Sequence, residues 1–123
     1  VYKRQYTIYM ASGNGLSFTT SNDGSATLGN ATATTSFTDN NWYHILGSFD
    51  GSNVKIYVNG TLEATTAASG SIYNSDVPVA IGHINGNLIY DQPIAQPRIY
   101  NRALTAEEVQ RSYDSGKNIY TNS

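Results

Sequence analysis

Cysteine is absent from the 123-residue chain, which excludes disulfide bridges and thiolate metal sites. Charge is scarce as well: Asp, Glu, Lys and Arg together make up 13% of the residues, and the net charge is −2. Nucleic acid and anionic membrane surfaces both call for a clustered excess of Lys and Arg, so neither is an expected partner. No apolar run approaches the roughly 18 residues of a membrane-spanning helix, so membrane insertion is not expected, and no secretory signal pattern is visible. Acidic material is thin too, with Glu only at 63, 107 and 108.

The residues that are plentiful point to strands and turns. Tyr occurs 10 times and Gly 11 times, beside many Ser, Thr and Asn. Aromatic and β-branched residues suit a pleated, half-buried surface, and Gly and Asn suit tight turns. The length supports one domain with one core.

Period-two alternation places strands over Tyr6 to Met10 and Leu16 to Thr20, separated by the turn Gly13-Asn14-Gly15. Asn22-Asp23-Gly24 is a further turn, and 24–35 reads as a weak edge strand or a loop. Strands follow over Asn41 to Phe49 and Val54 to Val58. Asn59-Gly60 is a strong hairpin signal, with Leu62 to Ala68 as the return strand. Further strands are expected over Val77 to Ile84 and Ile94 to Tyr100. Turns spaced every 8–12 residues or so, with no helical pattern between strands, indicate an antiparallel sandwich. One helix stands apart: Thr105-Ala106-Glu107-Glu108 is a capping box, Val109 and Tyr113 form an apolar stripe, and Gly116 ends it.

Three stretches together resemble a known family. NWYHILGSFDGSNVKIYVNGTLEATT (41–66), Val79-Ala80-Ile81-Gly82, and Arg98-Ile99-Tyr100-Asn101-Arg102-Ala103-Leu104-Thr105-Ala106-Glu107-Glu108-Val109 are similar, in order and spacing, to signatures of laminin G-like, concanavalin A-like jelly-roll domains. The resemblance implies an all-β fold, an antiparallel two-sheet jelly-roll sandwich with one short C-terminal helix. It also implies that Trp42 packs in the core, that His44 lies on a central strand, and that Tyr100 and Leu104 are structural. The alternation agrees: Trp42, His44 and Leu46 share one face and Tyr43, Ile45 and Phe49 the other, so both faces meet packing partners.

The family's opening strands have no counterpart in the chain, and VYKRQ at 1–5 resembles translated sequencing-adapter DNA, as at the edge of a metagenomic read. The expected organisation is therefore a non-native leader over 1–5, a partial jelly-roll domain over 6–116, and the start of a linker or tail over 117–123. A sheet edge left unpaired near Arg98 to Tyr100 is an aggregation hazard, so poor solubility is expected.

The fold implied by the resemblance also hosts glucanases. Retaining glycoside hydrolysis needs two carboxyls about 5 Å apart, usually at i and i+2 or i+4 of one strand face. Glu63 has no acidic neighbour at either spacing, and Glu107 and Glu108 serve the helix dipole. No enzyme is expected.

Many domains of this class bind Ca²⁺ at one rim, and hard oxygen ligands in loops are what Ca²⁺ takes. The candidates are Asp91, Asp50 and Asn85, with Asp76 and Asn87 behind them. The plainer reading of Asp23 and Asp50 is as turn residues. Ile94-Ala95-Gln96-Pro97 also stands where many relatives carry acids. A sugar site needs an aromatic platform with planar polar groups. Tyr9, Tyr57, Tyr73 and Tyr90 are the candidate platforms, with Asn85, Asn87 and Asp91 as polar neighbours, and the plainer reading of each Tyr taken singly is packing on a half-buried strand surface.

The expected function is non-catalytic recognition of a glycan or a protein surface, beside other domains of the same chain, in an extracellular, cell-surface or virion setting. A bacterial or phage surface protein suits that setting. The alternative is a structural spacer or virion decoration domain. A glycoside hydrolase ranks last.

Overall fold

The computed structural model describes residues 4–13, 15–83 and 89–120. Among the described residues, six strands form two antiparallel sheets of three. The first holds β1 (Tyr6–Ala11), β2 (Gly15–Thr20) and β3 (Gly29–Thr32) in that order. The second holds β4 (Ile45–Phe49), β5 (Asn53–Val58) and β6 (Thr61–Ala67), also in order. One helix, α1 (Ala106–Gly116), follows. The architecture is the expected all-β sandwich with a short C-terminal helix.

Alternation builds the core. Leu16, Phe18 and Ala31 of the first sheet, with Ala33 just past β3, meet Val54, Ile56 and Val58 of the second, with Ala68 just past β6. Val54 and Ile56 are fully buried, and each contributes about 1.5–3 kcal/mol of transfer free energy. Tyr43, Ile45 and Phe49 pack against this cluster, as their shared face requires. Ser17 and Thr19 point to the other face of β2 yet are buried. Their hydroxyls are satisfied by Thr32 Oγ1 at 2.8 Å and by the Gly29 carbonyl at 3.0 Å.

Turn chemistry sets the registers. Asn59 and Gly60 both take positive φ, 50° and 82°, the backbone of a type I′ turn whose twist matches the flanking strands. Asn59 also grips the start of β4: its N–H donates to the His44 carbonyl at 2.8 Å, and its Oδ1 accepts from the His44 N–H at 2.9 Å. Asp23 and Asp50 each accept two backbone N–H groups within their turns, Asp23 from Ser25 and Ala26 and Asp50 from Ser52 and Asn53.

Register shifts between Ile56 and Tyr57, which pair with Ala64 and Leu62 respectively. Glu63 is the residue left between them, a β-bulge that re-aims its side chain. Its Oε2 accepts from the Thr34 and Thr35 N–H groups at 2.8 and 2.9 Å, and its Oε1 takes the Thr35 hydroxyl. The bulge thereby ties β6 to the segment after β3.

Three expectations are corrected. Residues 77–83 and 94–100 lie outside both sheets; Ile84 falls outside the described residues. Proline explains part of this: Pro78, Pro93 and Pro97 offer no N–H to a ladder. Gln96 adds a φ of 51°, which breaks the extended run. Val79, Ile81 and Ile99 are consequently 61%, 54% and 62% exposed. Second, Trp42 is half-buried and not part of the core cluster. It precedes β4, and its ring packs on Tyr120 with centroids 4.8 Å apart. Third, His44 also precedes β4, on the outer face of the second sheet rather than within a central strand.

Candidate functional site

The outer face of the second sheet receives α1. Thr105 caps the helix: its Oγ1 accepts from the Glu108 N–H at 3.2 Å, and Glu108 Oε2 accepts from the Thr105 N–H at 2.9 Å. Both orphan donors of the box are thus satisfied. Val109 is fully buried. One turn on, Ser112 Oγ meets His44 Nε2 at 3.3 Å, and the Tyr113 ring lies 6.0 Å from the His44 ring. Tyr120, past the helix end, reaches Trp42.

Glu108 does a second job. Its two oxygens accept from both terminal nitrogens of Arg102, at 2.8 and 2.7 Å. This bidentate fork fastens the chain before the helix to its first turn. The Arg102 hydrogen bonds, helped by the capping bond from Thr105, lower the Glu108 pKa to about 2. The same bonds raise that of Arg102.

Between this clasp and the approaching chain lies an open cleft of about 300 Å³. Arg98, Tyr100, Arg102, Leu104, Glu108, Arg111 and Ser112 line it. Three guanidinium groups face one carboxylate, so the cleft is electropositive on a protein whose net charge is −2. Arg98 is held only loosely there, donating to Gln96 Oε1 at 3.3 Å. Tyr100 is 46% exposed; it lines a surface rather than serving the packing role expected of it. Leu104 is half-buried beside it.

His44 abuts this cleft through Ser112. Burial lowers its pKa and the Arg98 charge lowers it further, so the imidazole is neutral at pH 7. Its Nδ1 is buried without a hydrogen-bond partner among the described residues.

The expected sugar and metal residues are held by different elements. The Tyr73 N–H donates to the Ser21 carbonyl at 2.8 Å, at the end of β2. Tyr90 is anchored through its N–H to the Gly82 carbonyl at 2.7 Å, and the residue is 48% exposed. Asp91 is exposed and accepts from Gln92 Nε2 at 3.0 Å. Asn85 and Asn87 lie outside the described residues. Tyr57 is buried and cannot act as a sugar platform, and the Tyr9 hydroxyl lies 3.5 Å from Asn30 Oδ1.

For Ca²⁺, Asp50 is committed to its turn by two backbone hydrogen bonds, which also lower its pKa. Among the described residues no three His, Asp or Glu side chains gather. No helix among the described residues is long and apolar enough to cross a membrane.

Sequence reasoning did not single out the arginine cleft. A signal was present: three of the four Arg residues fall between 98 and 111, in a chain poor in charge.

Two antiparallel three-stranded sheets with one short C-terminal helix define a β-sandwich domain. The family model of the concanavalin A-like lectin/glucanases superfamily matches residues 2–110, and the chain belongs to that superfamily. No curated protein matches the chain. A solved structure of an S-layer domain-containing protein from Clostridium thermocellum ATCC 27405 (residues 221–444) is similar at 18% identity and a TM-score of 0.45. The match covers 92% of this chain and 64% of that one, so the chain spans about two thirds of that structure's length.

Proposed function

We propose that the protein is a non-catalytic recognition module that takes a glycan, displayed in an extracellular, cell-surface or virion setting. The observation that carries this reading is the open cleft beside α1, where exposed arginines and Tyr100 gather from the segment before the helix and from the helix itself. Ligand sites of this kind combine an apolar surface with a few convergent polar groups.

The carboxylates support a role without catalysis. A general acid for glycoside hydrolysis needs a raised pKa. Burial acts most strongly on Glu63 and raises its pKa, but the hydrogen bonds from Thr35 and Thr34 together outweigh burial and leave it lowered. Glu108 is held at about 2 by Arg102. Neither carboxylate is poised to give up a proton at neutral pH.

Screening a glycan array with added Ca²⁺ and again with a chelator tests the reading. Specific retention of at least one glycan is expected, and it should survive chelation. Absence of any bound glycan in both conditions would contradict recognition and favour a purely structural spacer.

A further inference from the structure

We propose that the Arg98–Arg102–Arg111 cleft binds an anionic saccharide, one whose sugar rings carry carboxylate groups. This rests on the glycan-recognition reading above and names the ligand class and its seat.

Clustering comes first. Three of the chain's four arginines line one cleft, while the protein as a whole carries a net charge of −2. A surplus of two positive charges over Glu108 is therefore local and runs against the overall balance. Such a concentration attracts anions and repels none of its own substrate class.

Geometry comes second. Arginine presents a planar fork that matches a carboxylate through two parallel hydrogen bonds. The cleft already demonstrates this chemistry internally, since Glu108 occupies the Arg102 fork at 2.7 and 2.8 Å. The charge of Arg111 also acts on Glu108, but the carboxylate's oxygens are taken by Arg102 and by the cap. Among the described residues, Arg98 has only the amide oxygen of Gln96, at 3.3 Å. Two forks thus remain open to an incoming carboxylate.

The walls favour a sugar as the bearer of that carboxylate. The half-exposed Tyr100 ring offers a flat apolar face for the C–H side of a pyranose, and Leu104 extends it. Ser112 adds a hydroxyl. A volume of about 300 Å³ sits at the lower end of the roughly 300–1,000 Å³ typical of ligand pockets and suits one or two sugar rings.

Calorimetric titration of the full chain with hexagalacturonate, maltohexaose and poly-glutamate provides the test. Hexagalacturonate should bind, and maltohexaose should bind much more weakly. Arg98→Gln and Arg111→Gln should each weaken hexagalacturonate binding by about tenfold or more, the loss of one charge-assisted pair. Arg4→Gln, away from the cleft, should leave it unchanged. Glu108→Gln should tighten it, because the internal competitor loses its charge while glutamine still completes the capping box. Raising salt from about 50 mM to about 500 mM should weaken binding, since exposed charges are then screened.

Maltohexaose binding as tightly as hexagalacturonate, or arginine variants that bind like the parent, would overturn the anionic site and leave glycan recognition standing. Poly-glutamate binding more tightly than hexagalacturonate would overturn the saccharide assignment. No binding of any saccharide here or on the array would remove the recognition reading itself.

Discussion

Gly47 of β4 lies directly beneath the ring of Phe18 of β2, so that a β-carbon at position 47 would fall far inside van der Waals contact with three atoms of that ring. Here the backbone of one sheet meets a core side chain of the other. Gly47→Ala should force the ring out of its place and destabilise the protein by about 1–3 kcal/mol, the usual cost of overpacking. Urea unfolding followed by tyrosine and tryptophan fluorescence measures it. Phe18→Leu in the same background should recover part of the loss, because it vacates the space that the new methyl needs.

Glu63 holds the sandwich from a bulge. Glu63→Ala removes the acceptor for two backbone amides and one hydroxyl at Thr34 and Thr35. A loss of about 1–3 kcal/mol is expected, in the range for hydrogen bonds to a charged acceptor. The sign with pH follows from its lowered pKa: the contribution is present above the ordinary 4.5 and fades as pH falls below it. Thermal melts of parent and variant should therefore converge on acidification from pH 6 towards pH 3.

His44 gives a different pH window. Its folded-state pKa lies below the ordinary 6.5, through burial first and the Arg98 charge second. Above 6.5 the imidazole is neutral in both states and pH has no leverage. As pH drops below 6.5 the unfolded chain takes up a proton that the folded one refuses, so stability declines. In His44→Gln this decline should be smaller, as read from melting temperatures at pH 7.5 and 5.5.

The chain carries an unusual load of exposed aliphatic side chains. Ile89, Val79 and Ile99 are 75%, 61% and 62% exposed, along segments that belong to no sheet. Exposed apolar surface of this extent promotes association. Replacing Val79 and Ile81 by Lys should raise the soluble fraction on expression and reduce light scattering, without lowering the unfolding midpoint. A parent protein that stays monomeric at high concentration with a sharp melt would contradict this.

The strands that pair locally were legible because their signals are local. Alternation over Val54 to Val58 and the Asn59-Gly60 turn specify a hairpin without reference to the rest of the chain, and the capping box at Thr105 to Glu108 does the same for α1. Trp42 was misplaced because alternation identifies which residues share a face, not what covers that face; the tail at Tyr120 covers it. Residues 77–83 and 94–100 carry apolar alternation, yet a strand also needs a partner edge and donors. Proline and the left-handed Gln96 remove both from the local signal's reach. The cleft was hidden for a similar reason. Arg98, Arg102 and Arg111 converge only because the chain turns at Thr105 and α1 docks on the outer sheet face, and that docking depends on His44 and Trp42 far away in sequence.

The most direct test of the whole account is a nuclear magnetic resonance titration of the isotope-labelled protein with hexagalacturonate. Saturable shifts should appear at the Arg98, Arg102 and Arg111 side chains and at the Ser112 amide, with β2 and β5 unmoved. Shifts confined to the loop around Tyr90 and Asp91, with the three arginines silent, would contradict it.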